Sequence, residues 1–452
     1  MGDEKMLIRF RIGNFLSFNE TQELSMISGE TRDHTDHIHK FEEIGLLRTS
    51  AVYGANASGK SNLIKAFEQS KKMIVFGIPI RSNRYFRSNA ANKDKLSYFE
   101  YEFENNGKYY SYGFEFFIFK QKVESEWLYE LKIEGENKIL FQRNGNEIHH
   151  DFKGEDGERM RIYIADMKNS DSRKLSETTL FLTMMSGKLR TDEKGFSVFS
   201  DVFNWFSNKM KVFGAKTSLL DTMNISDHER ETVVRLLGAM GTGITGIRYE
   251  PIENAERRFG AEYLDHIRRN LVSSKGSMFR SKDPLGGTIF ASLSENNELM
   301  LKRLLFTHEG PDALFEMEEE SEGTQRLYDL LAMIVSKDKD NVYLLDELDL
   351  KLHPKLTCQF VRTFLGEKAG TKNQLIFTTH GTYLMEYGLL RRDEIWFIEK
   401  KGDESSLYSL EEYKERSDRR IDKAYMDGRY GGVPEFLPIS PIFRGRSDEA
   451  GK

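Results

Sequence analysis

Apolar and polar positions change rhythm several times along the chain, and each rhythm predicts an element. Leu7-Ile8-Arg9-Phe10-Arg11-Ile12 and then Phe15-Leu16-Ser17-Phe18 read as two strands joined near Gly13-Asn14. A His-bearing loop follows, then a short strand over 49–53 that runs straight into Gly54-Ala55-Asn56-Ala57-Ser58-Gly59-Lys60-Ser61. Leu63, Ile64 and Phe67 then begin a helical spacing. From 96 to about 150, Phe, Tyr and Ile alternate with polar residues between turns such as Asn105-Asn106-Gly107 and Asn144-Gly145-Asn146. That combination predicts an antiparallel meander. Over about 160–305 the pattern is mostly helical, as in Val233-Val234-Arg235-Leu236-Leu237, without the sustained heptads of a coiled coil. The last part alternates again, with buried strands at 341–345, 374–379 and 395–398 and a helix over 352–365.

Strands alternating with helices argue for an α/β protein with a parallel core. The expected organisation is a core split between 1–80 and 318–440, an antiparallel β subdomain at 96–150, a mostly helical insertion at 151–317 and a loose tail at 441–452. Composition narrows the setting. The 452 residues carry 66 Lys+Arg against 72 Asp+Glu, a net charge of −6, with 31% charged residues. Mean hydropathy is −0.57, and no apolar run reaches the ~18 residues of a membrane span. The first residues lack the basic-then-apolar order of a secretory leader. Cys358 is the only cysteine, which excludes an internal disulfide and a Cys-based zinc site and fits a reducing cytoplasm. The mild acidity argues against a protein coated in nucleic acid.

The segment 54–61 matches G-x-x-x-x-G-K-[S/T] in full, between a strand and a helix. Its glycines let backbone N–H groups curl around a β-phosphate, where the helix N-terminus adds positive potential. Lys60 is placed to reach the β- and γ-phosphates of ATP, and Ser61 to bind Mg²⁺. The complement is Val342-Tyr343-Leu344-Leu345-Asp346-Glu347. Asp346 emerges at the carboxyl end of a buried strand, where open α/β sheets bind ligands, to hold Mg²⁺; Glu347 is next to it, to polarise the attacking water.

Further residues carry a family resemblance. Ser321-Glu322-Gly323-Thr324-Gln325-Arg326 opens a helical pattern, Leu348-Asp349 follows Glu347, and Thr378-Thr379-His380 ends the next strand. The order resembles an ABC-type P-loop ATPase head: phosphate loop, signature helix, Asp-Glu strand, D-loop and switch histidine. Asn14-Phe15, Leu352-His353-Pro354 and Tyr430-Gly431-Gly432-Val433-Pro434 narrow the resemblance to bacterial AAA/ABC-like ATPases of abortive infection and phage defence. Those are cousins of overcoming-lysogenization-defect, RecF and SMC heads. It covers roughly residues 6–75, 96–145 and 318–435. The signature reads Ser-Glu-Gly-Thr-Gln where transporters have Ser-Gly-Gly-Gln, and no Q-loop is legible.

The resemblance implies an ATP set of Gly54, Asn56, Ser58, Gly59, Lys60, Ser61, Asn62, Ser321, Gly323 and Asp349. In it, Mg²⁺ sits on Ser61 and Asp346, and Glu347 and His380 are catalytic. Ser321 would face ATP held by a second subunit, so at least a dimer is implied. By itself, Ser321 is an N-cap. The resemblance further implies an ATP-hydrolysing sensor and scaffold of a two-component anti-phage system. It would hold a separate effector, a toprim-type nuclease, until a phage protein triggers release. The PARIS-type ATPase is similar in size and in lacking a nuclease, since no acidic triad follows His380. The competing reading is a RecF- or SMC-like clamp that binds duplex DNA in its ATP state.

Other signals read as structural. Asp33, His34, Asp36, His37 and His39 have the chemistry of a Zn, Mn or Fe site, but in a predicted loop they read as solvated or capping. Asp338-Lys339-Asp340 reads as a turn and 316–322 as a solvated acidic face. Arg257-Arg258 and Arg268-Arg269 are candidates for one basic stripe.

Overall fold

The computed structural model describes residues 5–434 except 32, 78–82, 170–176, 189–194, 216–225, 274–278, 285–286, 295, 368–371, 387 and 414–419. The expected tail at 441–452 lies outside them. The centre is a six-stranded sheet in the order Met210–Phe213, Val342–Leu345, Gln374–Thr378, Thr49–Tyr53, Ile395–Lys401, Glu404–Ser409. The first five strands are parallel, and the last pairs antiparallel at the edge. Three of the strands are buried along their whole length, as a sheet covered on both faces requires.

Alternate side chains of this sheet feed two cores. Val52, Leu344 and Ile376 point to one that includes Leu63 and Phe67 of the helix Lys60–Phe76. Tyr53, Tyr343 and Phe377 point to the other, under the helices Glu322–Val335 and Pro354–Glu367. A seven-stranded antiparallel sheet closes the first core. The expected meander supplies five of its strands, from Ser97–Asn105 to Glu147–His149, and Lys5–Gly13 and Gln22–Ser25 complete it. Phe10 stacks on Phe67 at 3.8 Å, which seats this sheet on the helix. Gln374 ties the sheets together: its Oε1 accepts from Leu7 N at 2.6 Å, and its Nε2 donates to the carbonyls of Leu7 and Leu47.

Two expectations change. Residues 15–18 form a tight turn closed by Phe15–Phe18 hydrogen bonds, and the second strand begins only at Gln22. Polar Asn19 and Glu20 and the left-handed Leu16, φ 51°, break the apolar run that resembled a strand. The stretch 151–317 is mostly helical up to Ala239 and mixes strands with the helices Ala255–Phe259 and Ala261–Ser273 after that. Met210–Phe213 is an edge strand of the core sheet, and 246–316 forms a separate antiparallel sheet of five strands. Phe290, Leu304 and Phe306 of this sheet pack into the second core and Ile289, Ala291 and Leu301 into a small separate one, so its apolar runs are short and imitate helix faces. Among the described residues, no helix is long and apolar enough to cross a membrane.

Candidate functional site

The buried strand Thr49–Tyr53 delivers the chain to the phosphate loop at the carboxyl edge of the sheet, and Lys60–Phe76 carries it away. Two glycines are fixed by space. A Cβ on Gly54 would lie 2.4 Å from the carbonyl oxygen of Ile398; at Gly59, φ 120°, it would lie 2.4 Å from Ser405 Oγ. The loop is clamped from outside: Ser405 Oγ donates to Ser58 O at 2.5 Å and Asn62 Nδ2 donates to Ser17 Oγ at 2.8 Å. Ser17 and Ser405 are site residues that sequence reasoning missed, since nothing local marks two serines so far apart in the chain.

Lys60 Nζ folds back to donate to Gly54 O at 2.6 Å and Ala55 O at 3.0 Å. Burial lowers its pKa to about 8, opposed by Asp346, Glu347 and Asp349. Ser58 is 2% exposed, and its Oγ is buried without a hydrogen-bond partner among the described residues. Asn56 lies exposed on the crown of the loop, while Ser61 and Asn62 are half-buried at the helix start. A buried ammonium and an orphaned hydroxyl in a glycine-rich loop fit a phosphate group.

Asp346 and Glu347 leave the end of Val342–Leu345, and Thr378 orients both. Its hydroxyl donates to Asp346 Oδ1 at 2.8 Å and accepts from Glu347 N at 2.8 Å. Glu347 has φ 51°, a left-handed conformation that costs a non-glycine residue about 1–3 kcal/mol and clusters at functional positions. Arg326, which is 8% exposed on the signature helix, donates to Glu347 O at 3.3 Å. It feels Asp329, Asp346, Glu347 and Asp349. The Ser61 hydroxyl and the Asp346 carboxylate are hard oxygen donors of the kind Mg²⁺ takes. The pKa of His380 is lowered by burial and by Lys60, against the pull of Asp349, Glu347 and Asp346, which favours neutral imidazole.

The structure thus brings Lys60, Asp346, Glu347, Asp349 and His380 into one electrostatic neighbourhood. Ser321 and Gly323 sit at the start of the helix Glu322–Val335. Exposed Ser321 caps its own helix, accepting from Thr324 N at 3.0 Å. A Cβ on Gly323 would lie 2.8 Å from Lys351 O, in the turn after Asp349. Asn14 is structural: its side chain donates to Asn92 O and Lys95 O and accepts from Phe86 N.

The SMC head domain from Thermotoga maritima is 14% identical, with a TM-score of 0.33 over 89% of this chain and 98% of that one. The SmcHead bound to the C-winged helix domain of ScpA is 13% identical, with a TM-score of 0.39 over 93% and 99%. No curated protein matches the chain. A family profile matches residues 50–174 and 241–386, more than half of the chain and both halves of the site. The chain belongs to that family, described as AAA domain, putative AbiEii toxin, Type IV TA system.

Proposed function

We propose that the chain is the ATP-binding and hydrolysing sensor and scaffold of a bacterial anti-phage system, acting as at least a dimer on a separate nuclease effector. The observation that carries the ATPase reading is the cluster of Lys60, Asp346, Glu347 and His380 around the phosphate loop. The family description, with its toxin–antitoxin system, supports the defence setting.

In this reading Lys60 leaves its two loop carbonyls for the β- and γ-phosphates. Gly54, Ser58, Gly59, Asn56 and Asn62 line the loop around them. Mg²⁺ held by Ser61 and Asp346 would neutralise charge between those phosphates. Glu347 polarises the attacking water, and neutral His380 orients it and reads the γ-phosphate. Ser321, Gly323 and Asp349 meet ATP held by the second subunit. The exposed cap at Ser321 suits this role because one face of the helix N-terminus stays open.

Glu347→Gln should retain ATP while hydrolysis falls about 100-fold or more, the scale of a lost general base. Capture of that variant from its native host with ATP then tests the wider reading. A stoichiometric nuclease supports it; nucleic acid without a protein partner replaces it with a DNA clamp. Hydrolysis at the wild-type rate would remove Glu347 from the mechanism.

A further inference from the structure

We propose that His34, Asp36 and His37 form a binding site for a divalent transition-metal ion, at the end of the sheet opposite the phosphate loop. One ligand atom from each of the three lies within 4.8 Å of the other two. The rings of His34 and His37 stack with centroids 4.8 Å apart. His37 is buried at 4% exposure, so the solvated reading fails at this residue, while His34 and Asp36 are exposed.

Both imidazoles are already oriented by outer partners. His37 Nδ1 bonds both oxygens of Glu394, at 3.0 and 3.1 Å, and His34 Nε2 bonds Gly388 O at 2.7 Å. With each of those nitrogens carrying the proton, His37 Nε2 and His34 Nδ1 keep their lone pairs. A carboxylate or carbonyl behind each histidine is the usual support of a metal-ligating imidazole.

The surrounding backbone is held for this geometry. His34 has φ 47°. Buried Arg391 donates to Asp33 O, and to Thr31 O at 2.8 Å, while a bidentate bond to Asp393 fixes its guanidinium. Asp36 and Glu394 outnumber the nearby guanidinium of Arg48, which donates to Leu365 O at 2.8 Å and Asp36 O at 3.4 Å.

Two imidazoles and one carboxylate suit zinc, cobalt or iron better than magnesium. Metal bonds of about 2.0–2.1 Å set neighbouring donors about 3.3 Å apart, so closure needs a shift of about 1.5 Å, within reach of exposed Asp36. Arg48 and Glu394 directly precede the strands Thr49–Tyr53 and Ile395–Lys401. A metal here would therefore clip the segment 33–37 to the amino edge of the parallel sheet, far from the hydrolytic chemistry.

The test is titration of chelator-treated full chain with Co²⁺ and Zn²⁺, read by visible absorption and calorimetry. The expected result is one ion per chain, a raised melting temperature and unchanged ATP turnover. Asp36→Asn and His34→Gln should each weaken binding tenfold or more while retaining wild-type far-ultraviolet dichroism. No stoichiometric uptake by the wild type, or equal affinity in both folded variants, would overturn the site.

Discussion

Thr378 ties Asp346 and Glu347 together with one hydroxyl, donating to the Asp346 carboxylate and accepting from the backbone N–H of strained Glu347. Thr378→Val keeps the shape and removes both bonds. Nucleotide affinity should change little, turnover should fall about 10- to 100-fold, and the Mg²⁺ concentration for half-maximal rate should rise. Phosphate-release assays across a Mg²⁺ series check this; an unchanged Mg²⁺ requirement would free Asp346 of the metal role.

A second residue-scale effect lies outside the site. Glu104 is fully buried, and both its oxygens are without hydrogen-bond partners among the described residues. Burial first, then Asp340 and Glu42, push its pKa from 4.5 to about 8. Between those values the folded state holds a proton that the unfolded chain releases. Its contribution is present below pH 4.5 and is lost as pH rises to about 8, by at most ~1.4 kcal/mol per pH unit. Glu104→Gln should flatten stability against pH over that window in chemical denaturation. An identical slope would show that Glu104 does not titrate there. The phosphate loop and Asp346-Glu347 were legible from local spacing. The two hydrogen bonds of the Thr378 hydroxyl, the Ser17 and Ser405 clamp and the Arg326 tether were not, because each depends on tertiary placement.

At the scale of elements, a five-residue π-turn, Trp205–Lys209, joins the insertion to both main sheets. Trp205 stacks on Phe103 of the antiparallel sheet at 4.5 Å. The chain then enters Met210–Phe213, at the edge of the parallel sheet. Trp205→Ala should cost about 3–5 kcal/mol, read as a lower denaturation midpoint. Trp205→Phe should cost less, since the indole Nε1 has no partner among the described residues; equal losses would contradict a packing role. Periodicity revealed four of the parallel strands because each carries at least three consecutive apolar residues. It missed Met210–Phe213, whose burial is interrupted at Lys211 and Val212. Glu126 shows a further tie hidden from the sequence: its carboxylate accepts from the N–H groups of Phe181 and Leu182 and anchors the insertion to the meander.

At the scale of the molecule, the open cap at Ser321 bears on assembly. In a two-fold dimer with shared sites, Lys60 and Ser321 of each site come from different chains. Lys60→Ala and Ser321→Ala should each be inactive alone. An equimolar mixture should recover about a quarter of wild-type turnover, because half the random dimers carry one intact site of two. Ser321→Ala alone removes a cap worth about 1 kcal/mol. Full turnover from that variant would assign Ser321 to capping only.

The split core also sets an order of events during synthesis. Thr49 bonds Leu375, 326 positions later, and the Ser405 clamp on the phosphate loop arrives later still. At about 5–20 residues per second, the first strand waits roughly 16–65 s on the ribosome for its neighbour. Over that interval the growing chain cannot complete a nucleotide site. The nucleotide site therefore comes into being only as the strands that flank and clamp its loop emerge, more than 300 residues after the loop itself.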